Sequence, residues 1–238
     1  MQPGQELPFA RLSFEFLRPV PMAPLKLTTR PSRPGRRVQA LQAELEADGV
    51  TVCRASALRL VATPEKLPEL ALAQVDAARA QALAGPLNGQ PVRFALDDSD
   101  HKSFASTAME MRFLKGAPLA GELPQMDTQS KHVPSGAAQV WMRLRYPVLE
   151  DRPLTPLARL AATSDFGNGV ATVLPFEQYL FINADLTISL DRRPEGEWIA
   201  LNARTLLHPG GIGWAESVVH DELGPVARAT QALVVQSR

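Results

Sequence analysis

The sequence predicts an α+β protein in which antiparallel sheets are each covered by a helix, arranged as two tandem units. Three observations point to it. Apolar and polar residues alternate along most of residues 10–61 and again along 179–235. Helical spacing, by contrast, places Leu154, Leu157, Ala158 and Ala161 on one stripe. The two alternating blocks also match each other. At a shift of 174 residues, Leu12, Phe14, Phe16 and Arg18 meet Leu186, Ile188, Leu190 and Arg192, and "VCRASALRLV" meets "VARATQALVV".

In the first block, "ARLSFEFLRPV" sets Leu12, Phe14 and Phe16 against Ser13 and Glu15, a strand pattern, and "PLKLTTR" continues extended. "RPSRPGRR" reads as a turn, because Pro31, Pro34 and Gly35 break a ladder. "VQALQAELEADG" has helical propensity, yet it sits between turn signals and reads as a strand. "ELEADGVTV" is then a hairpin with Asp48-Gly49 at its tip. "PEKLPELALAQVDAARAQALAG" reads as a helix closed by Gly85, and "PLNGQPVRFALDDSDHKS" as loop. "FASTAMEMRFL" reads as a strand through residues 104–114, and "AAQVWMRLRYPVL" as another beyond a polar, Pro-rich connection. After the helix come "YLFINADLTISLDRR", "EWIALNARTLLH", "GWAESVVHD" and "GPVARATQALVVQ", four strands in succession. The expected division is a first unit over 1–63, a helical linker over 64–103 and a second unit over 104–238. The first unit opens directly on strands, so its own covering helix is not expected in this chain.

The bulk numbers narrow the function. The chain has 238 residues, 45% of them hydrophobic, enough for a large core. Twenty-five basic residues balance 25 acidic ones, so there is no basic field for nucleic acid. Cys53 is the single cysteine, which excludes a disulfide framework and a cysteine zinc cluster. The four histidines show no metal-ligand spacing and read as surface or structural, and no metal or other cofactor is expected. No serine-hydrolase G-x-S-x-G occurs, and "GGIGWAE" lacks the third glycine and the following helix of a dinucleotide fingerprint. Trp141, Trp198 and Trp214 read as core. The start "MQPGQELPFARLS" has no signal-peptide pattern, and no apolar run is long enough to span a membrane. A soluble, cytoplasmic protein is the expectation.

The helix "TPLARLAATSDFGNG" carries a puzzle. Asp165 falls on the apolar stripe, at the end where the helix dipole disfavours negative charge. It is either a C-terminal capping or turn residue, since "SDFGNG" is good turn chemistry, or a functional carboxylate.

The blocks "PLARLAATSDFGNG", "FINADLTISLDRRPEGEWIALNARTLLHPGGIGWAESVVHDELGPVARATQALVV" and "FEFLRPVPMAPL…RPGRRVQALQAEL" resemble the bacterial acyl-CoA thioesterase II branch of the hotdog-fold thioesterases. The resemblance runs from about Pro8 to the C-terminus and is densest from Trp141 onward. It implies a double hotdog, two tandem sheets each wrapping a helix; the family's opening strand and Gly-rich helix do not precede Gln5, so either the true start lies upstream or the first unit is incomplete. It implies hydrolysis of acyl-CoA to a free acid and coenzyme A, and a place in lipid metabolism. In that family an Asp, a Thr or Ser, and a Gln position the hydrolytic water. By motif the Asp falls on Asp165 and the Gln on Gln231, while the hydroxyl position is occupied by Asn183, a departure from the pattern. Thr187, four residues on in a strand pattern, would share a face with Asn183.

These residue types suit the chemistry. Asp165 can take a proton from water, and the carboxamides of Gln231 and Asn183 can hold that water in line. Main-chain N–H groups are expected to serve the oxyanion. Read without the resemblance, Gln231 is a polar residue on an exposed strand face and Asn183 satisfies a buried backbone group. Ala57 stands where the repeat would place a second Gln, so one site per chain is expected, in the second unit. "RPSRPGRR" is either a grip for coenzyme A phosphates or an exposed hairpin. Loss of the hydroxyl keeps open an alternative, a non-catalytic acyl- or ligand-binding hotdog protein. An uncovered sheet face in the first unit would favour a partner or homo-oligomer.

Overall fold

The computed structural model describes residues 8–62, 66–92, 103–116, 135–175 and 178–238. The expected connection at 117–134 and much of 86–103 lie outside them.

Alternation builds the first strands. β1 (Phe9–Phe16), β2 (Lys26–Arg33), β3 (Val38–Ala47) and β4 (Val50–Leu60) form one antiparallel group in the order β2-β3-β4-β1. The ambiguous "VQALQAELEA" is β3, a strand. The β3–β4 hairpin turns at Asp48 (φ 48°) and Gly49 (φ 77°), two successive left-handed residues that match the twist of the strands. The expected turn at "RPSRPGRR" is shorter than predicted, because β2 runs on through Arg33. β2 is the outer edge of the sheet, and an edge strand admits Pro31, which has no N–H to donate.

α1 (Glu69–Arg79) ends well before Gly85, which instead precedes a 3-10 turn at Pro86–Asn88. A two-residue strand, β5 (Gln90–Pro91), then pairs with β6 (Met109–Lys115). The reading of 104–114 as one strand is half right. Residues Phe104–Ala108 form a helical turn, α2, because the Ser103 hydroxyl accepts from the Ser106 N–H (3.2 Å) and the Ser106 hydroxyl accepts from the Ser103 N–H (3.1 Å). This reciprocal cap outweighs the strand propensity of so short a stretch. β7 (Ala137–Leu144) follows, then α3 (Pro156–Ser164), capped by the Thr155 hydroxyl, and a single turn, α4 (Gly167–Val170).

The last strands are β8 (Tyr179–Asn183), β9 (Asp185–Leu190), β10 (Ile199–His208), β11 (Ile212–Asp221) and β12 (Gly224–Ser237). All twelve strands form one sheet, ordered β2-β3-β4-β1-β9-β12-β11-β10-β7-β6-β5, with β8 beside β9 on the same edge of β12. The single strand expected over 179–193 is broken at Ala184.

The pairing register carries the duplication. Leu41 faces Ala57, and 174 residues later Ala215 faces Gln231. Leu27 faces Leu45, as Leu201 faces Val219. Leu12 faces Ala57, as Leu186 would face Gln231 on extending the ladder in which Ile188 meets Ala229. Even the bulge after Leu45 recurs after Val219. The groups meet through β1 and β9, where Ser13 pairs with Thr187, the two residues that the shift relates. The Thr187 hydroxyl donates to the Ser13 hydroxyl there (3.3 Å), on the local twofold of the repeat.

The core lies in the second group. α3 and α4 pack on β7 and β9–β12 over Met142, Leu160, Ile188, Leu201 and Val219. Trp141 is buried and donates to the Ala84 carbonyl (2.7 Å). Trp198 and Trp214 are not core. Trp198 is half-buried with the guanidinium groups of Arg112 and Arg143 over its ring, and Trp214 is 39% exposed beneath Arg204. On the first group the matching face is open. Leu27 is 65% exposed, and Leu12, Phe14 and Leu41 line a shallow hollow of about 370 Å³.

Candidate active site

The site forms where α3 stops. Asp165 is the C-cap of α3 (φ −72°, ψ −14°), and its N–H donates to the Thr163 carbonyl. The capping reading of Asp165 is therefore correct as local structure. The carboxylate also turns into a cavity of about 650 Å³ between the two strand groups.

Two carboxamides reach it from the sheet. Gln231 on β12 is 3% exposed, and its Nε2 donates to Asp165 Oδ1 (3.0 Å) and to the Asp165 carbonyl (3.0 Å). Asn183, at the end of β8, donates through Nδ2 to the same Oδ1 (3.2 Å) and the same carbonyl (3.4 Å). The three residues singled out by sequence thus converge. Neither amide nitrogen is left over for a solvent molecule, since both clamp one oxygen of the carboxylate. Asp165 Oδ2 accepts no hydrogen bond among the described residues.

The amide of Gln231 is held from behind. Its Oε1 accepts the Asn168 N–H (3.3 Å), which turns Nε2 toward Asp165. Gly167 makes room, for a Cβ there would stand 2.8 Å from Gln231 Oε1 and 3.1 Å from Ser217 Oγ.

Thr187 is not part of the site, and the break at Ala184 is the reason. Asn183 pairs with Leu233, whereas Thr187 pairs with Thr230. Four residues on one strand span three on the other, so Thr187 falls on the opposite face from Asn183 and Gln231. The bulge is stable because the N–H of Ala232 donates to Asp185 Oδ1 (2.7 Å).

Asp165 is not the buried carboxylate the sequence suggests, since it is exposed to the cavity. The protein around it still removes enough water to push its carboxyl above the ordinary Asp range, against the pull of the Asn183 and Gln231 donors. A raised pKa makes the carboxylate a better proton acceptor.

Sequence reasoning missed the first group's share. Phe16, Leu17, Arg18 and Pro19 line the cavity opposite Phe166 and Phe181. Phe16 is joined to the bulge through its N–H on the Ala184 carbonyl (3.0 Å). Burial, then the charges of Asp165 and Glu15, push the Cys53 thiol up, so it is an inert neighbour. Nothing local in 16–19 signals this wall, because the β1–β9 pairing creates it.

The hollow on the open face of the first group contains no carboxylate, whereas the larger cavity holds Asp165. "RPSRPGRR" does not line that cavity. Within the described residues no helix is long and apolar enough to cross a membrane.

Comparisons with known proteins agree with this architecture. Residues 97–235 match the acyl-CoA thioesterase C-terminal domain family, and residues 2–60 the acyl-CoA thioesterase N-terminal domain family. No curated protein sequence matches significantly. Among solved structures, an acyl-CoA thioesterase II, TesB2, from Mycobacterium marinum is 17% identical, with a TM-score of 0.64, covering 100% of this chain and 83% of its own. A TesB protein from Mycobacterium avium subspecies paratuberculosis is 12% identical (TM-score 0.62, covering 99% and 80%). A hotdog-fold protein of unknown function from Alicyclobacillus acidocaldarius is 18% identical (TM-score 0.65, covering 100% and 82%). These likenesses establish the hotdog fold, and the two domain matches establish that the chain belongs to the acyl-CoA thioesterase family of thioester hydrolases.

Proposed function

We propose that the chain hydrolyses acyl-CoA thioesters to a free acid and coenzyme A, with Asp165 as the general base for the attacking water. The observation that carries this reading is the clamp on Asp165. Two amide donors fix Oδ1 and leave Oδ2 without a hydrogen bond among the described residues, on a side chain that lines the cavity. A carboxylate oriented by one oxygen and open at the other can receive a water proton in a fixed direction. Gln231 and Asn183 act by orienting the base. They take the place of the amide–hydroxyl pair of the related enzymes, with Asn183 supplying a donor where a hydroxyl would supply one.

The cavity walls offer apolar contact to an acyl group. Phe16, Phe166 and Phe181 offer apolar faces, and Phe166 is backed by Phe104 at 6.4 Å between ring centroids. The reaction needs no covalent intermediate.

The test is thiol release. The chain is incubated with acyl-CoAs of increasing acyl length and a chromogenic thiol reagent, alongside Asp165→Asn. Hydrolysis that drops at least a hundredfold in the variant supports the reading, and equal rates refute it. A second reading, acyl binding without turnover, follows from Asn183 standing where the related enzymes carry a hydroxyl. It predicts saturable acyl-CoA binding by calorimetry with no thiol released by the unsubstituted chain.

A further inference from the structure

We propose that the side chain of Asn168 is the oxyanion donor of this site, a role that main-chain N–H groups were expected to fill. This rests on the hydrolytic reading above and assigns a further catalytic residue to it.

Asn168 lies on α4, one residue beyond Gly167, and is 6% exposed. Its carboxamide makes no hydrogen bond among the described residues, and its Oδ1 is wholly buried without a partner. Protein interiors rarely leave a buried amide unpaired, because such a group gives up water and receives nothing. Nδ2 of the same amide is unbonded too but is not among the wholly buried atoms, so the nitrogen, not the oxygen, is the end of the side chain left open to an acceptor on a ligand. Asn168 also lines the cavity that holds Asp165 and Asn183. Its position relative to the base is set by one short chain of bonds. Its own N–H donates to Gln231 Oε1, and Gln231 Nε2 donates to Asp165 Oδ1. Of the three carboxamides around the base, those of Asn183 and Gln231 are committed to Asp165. Asn168 alone keeps its N–H donors for a substrate.

Water attacks the thioester carbonyl carbon while Asp165 Oδ2 takes one of its protons. The carbonyl π pair moves onto oxygen, and that oxyanion accepts from the Asn168 amide. The intermediate collapses, the carbon–sulfur bond breaks, and the coenzyme A thiolate leaves with the proton from Asp165. The products are the free acid and the thiol, with Asp165 returned to its ionised form. A donor aimed at charge that develops only in the transition state acts on kcat and leaves substrate affinity almost unchanged.

Asn168→Leu keeps the size of the side chain and removes its donors. The expected result is a kcat at least a hundredfold lower, KM within threefold of the unsubstituted chain, and an equal or higher Tm, because an unpaired buried amide has gone. Asn168→Asp, which keeps the shape and loses the amide donor, is expected to be as slow. A kcat within threefold in Asn168→Leu overturns the proposal, as does a raised KM at constant kcat. A Tm fall of more than about 10 °C in both Asn168→Leu and Asn168→Ala overturns it in favour of a structural role. Asp165→Asn separates the two readings. If it is slow while Asn168→Leu is not, only the Asn168 assignment fails; if it is fully active, the hydrolytic reading fails and this one with it.

Discussion

The most exacting consequence of the site geometry concerns a methyl group. Gly167→Ala adds a Cβ 2.8 Å from Gln231 Oε1 and 3.1 Å from Ser217 Oγ. Close carbon–oxygen contacts ordinarily stop at about 3.3 Å, so the Gln231 amide must yield by about 0.5 Å. It has little freedom to do so, since Gln231 is 3% exposed in the middle of β12. Its bonds to Asp165 are 3.0 Å long, and half an ångström more takes them to the limit of a hydrogen bond. The carboxylate then loses one of its two clamps. Since a displacement of about 1 Å can reduce a rate about a hundredfold, we expect kcat to fall about 10- to 100-fold, a rise in barrier of roughly 1.4–2.7 kcal/mol. Stability should hardly change. Removing a helical glycine gains up to about 1 kcal/mol, and the weakened amide bond costs about the same. Tm is expected within about 4 °C of the unsubstituted chain. The comparison is Gly169→Ala on the same turn, whose Cβ meets nothing within 4 Å. Steady-state thiol release and a thermal melt of all three proteins decide it. Full kcat in Gly167→Ala would show that the position of Gln231 does not govern the base.

Other consequences are equally direct. Because burial raises the Asp165 pKa, kcat/KM should rise with pH to a plateau whose acid limb lies above the ordinary Asp range; a limb at or below that range counts against Asp165 as base. His220 is 1% exposed with both ring nitrogens unpartnered, and burial lowers its pKa to about 4, with Asp221 opposing and Arg228 assisting. A folded pKa below the unfolded one means stability is fully present above about 6.5 and lost as pH falls toward 4, about 2 kcal/mol by pH 5. Urea titrations at pH 7 and 5 should show that loss shrink in His220→Phe, and an unchanged loss would refute the assignment. Asp221, with a fully buried side chain, is held by both Arg192 nitrogens at 2.5 Å and by the N–H groups of Glu195 and Leu223. Arg192→Met should destabilise the fold by about 3 kcal/mol or more in urea, because it leaves a buried charge unpaired; a loss below 1 kcal/mol would show that the backbone donors suffice.

Much of the architecture was legible in the sequence because it rests on periodicity. Alternation located the strands, Asp48-Gly49 located a hairpin, and the 174-residue shift matched the segments of β1 with β9 and of β4 with β12, whose pairing recurs in the fold. These signals are local, or compare two stretches of chain directly. The reading failed where a partner at a distance decides. Strand or helix over 104–108 turned on a reciprocal serine cap, and the length of β2 turned on its being an edge. Asp165, Gln231 and Asn183 were found through residue types in family-like blocks, and the fold does bring them together.

The sequence by itself determined the composition of the site: one carboxylate, carboxamides in place of a hydroxyl, and Ala57 where a second Gln would stand. Tertiary structure decided how they are arranged. A one-residue bulge at Ala184 puts Asn183 inside and Thr187 outside, since side chains alternate along a strand and one extra residue reverses every one beyond it. The β1–β9 pairing brings Phe16–Pro19 across as the opposite wall, and the close approach of Gly167 to Gln231 fixes where the amide points. Each depends on contacts between residues far apart in the chain, whose geometry no local pattern encodes.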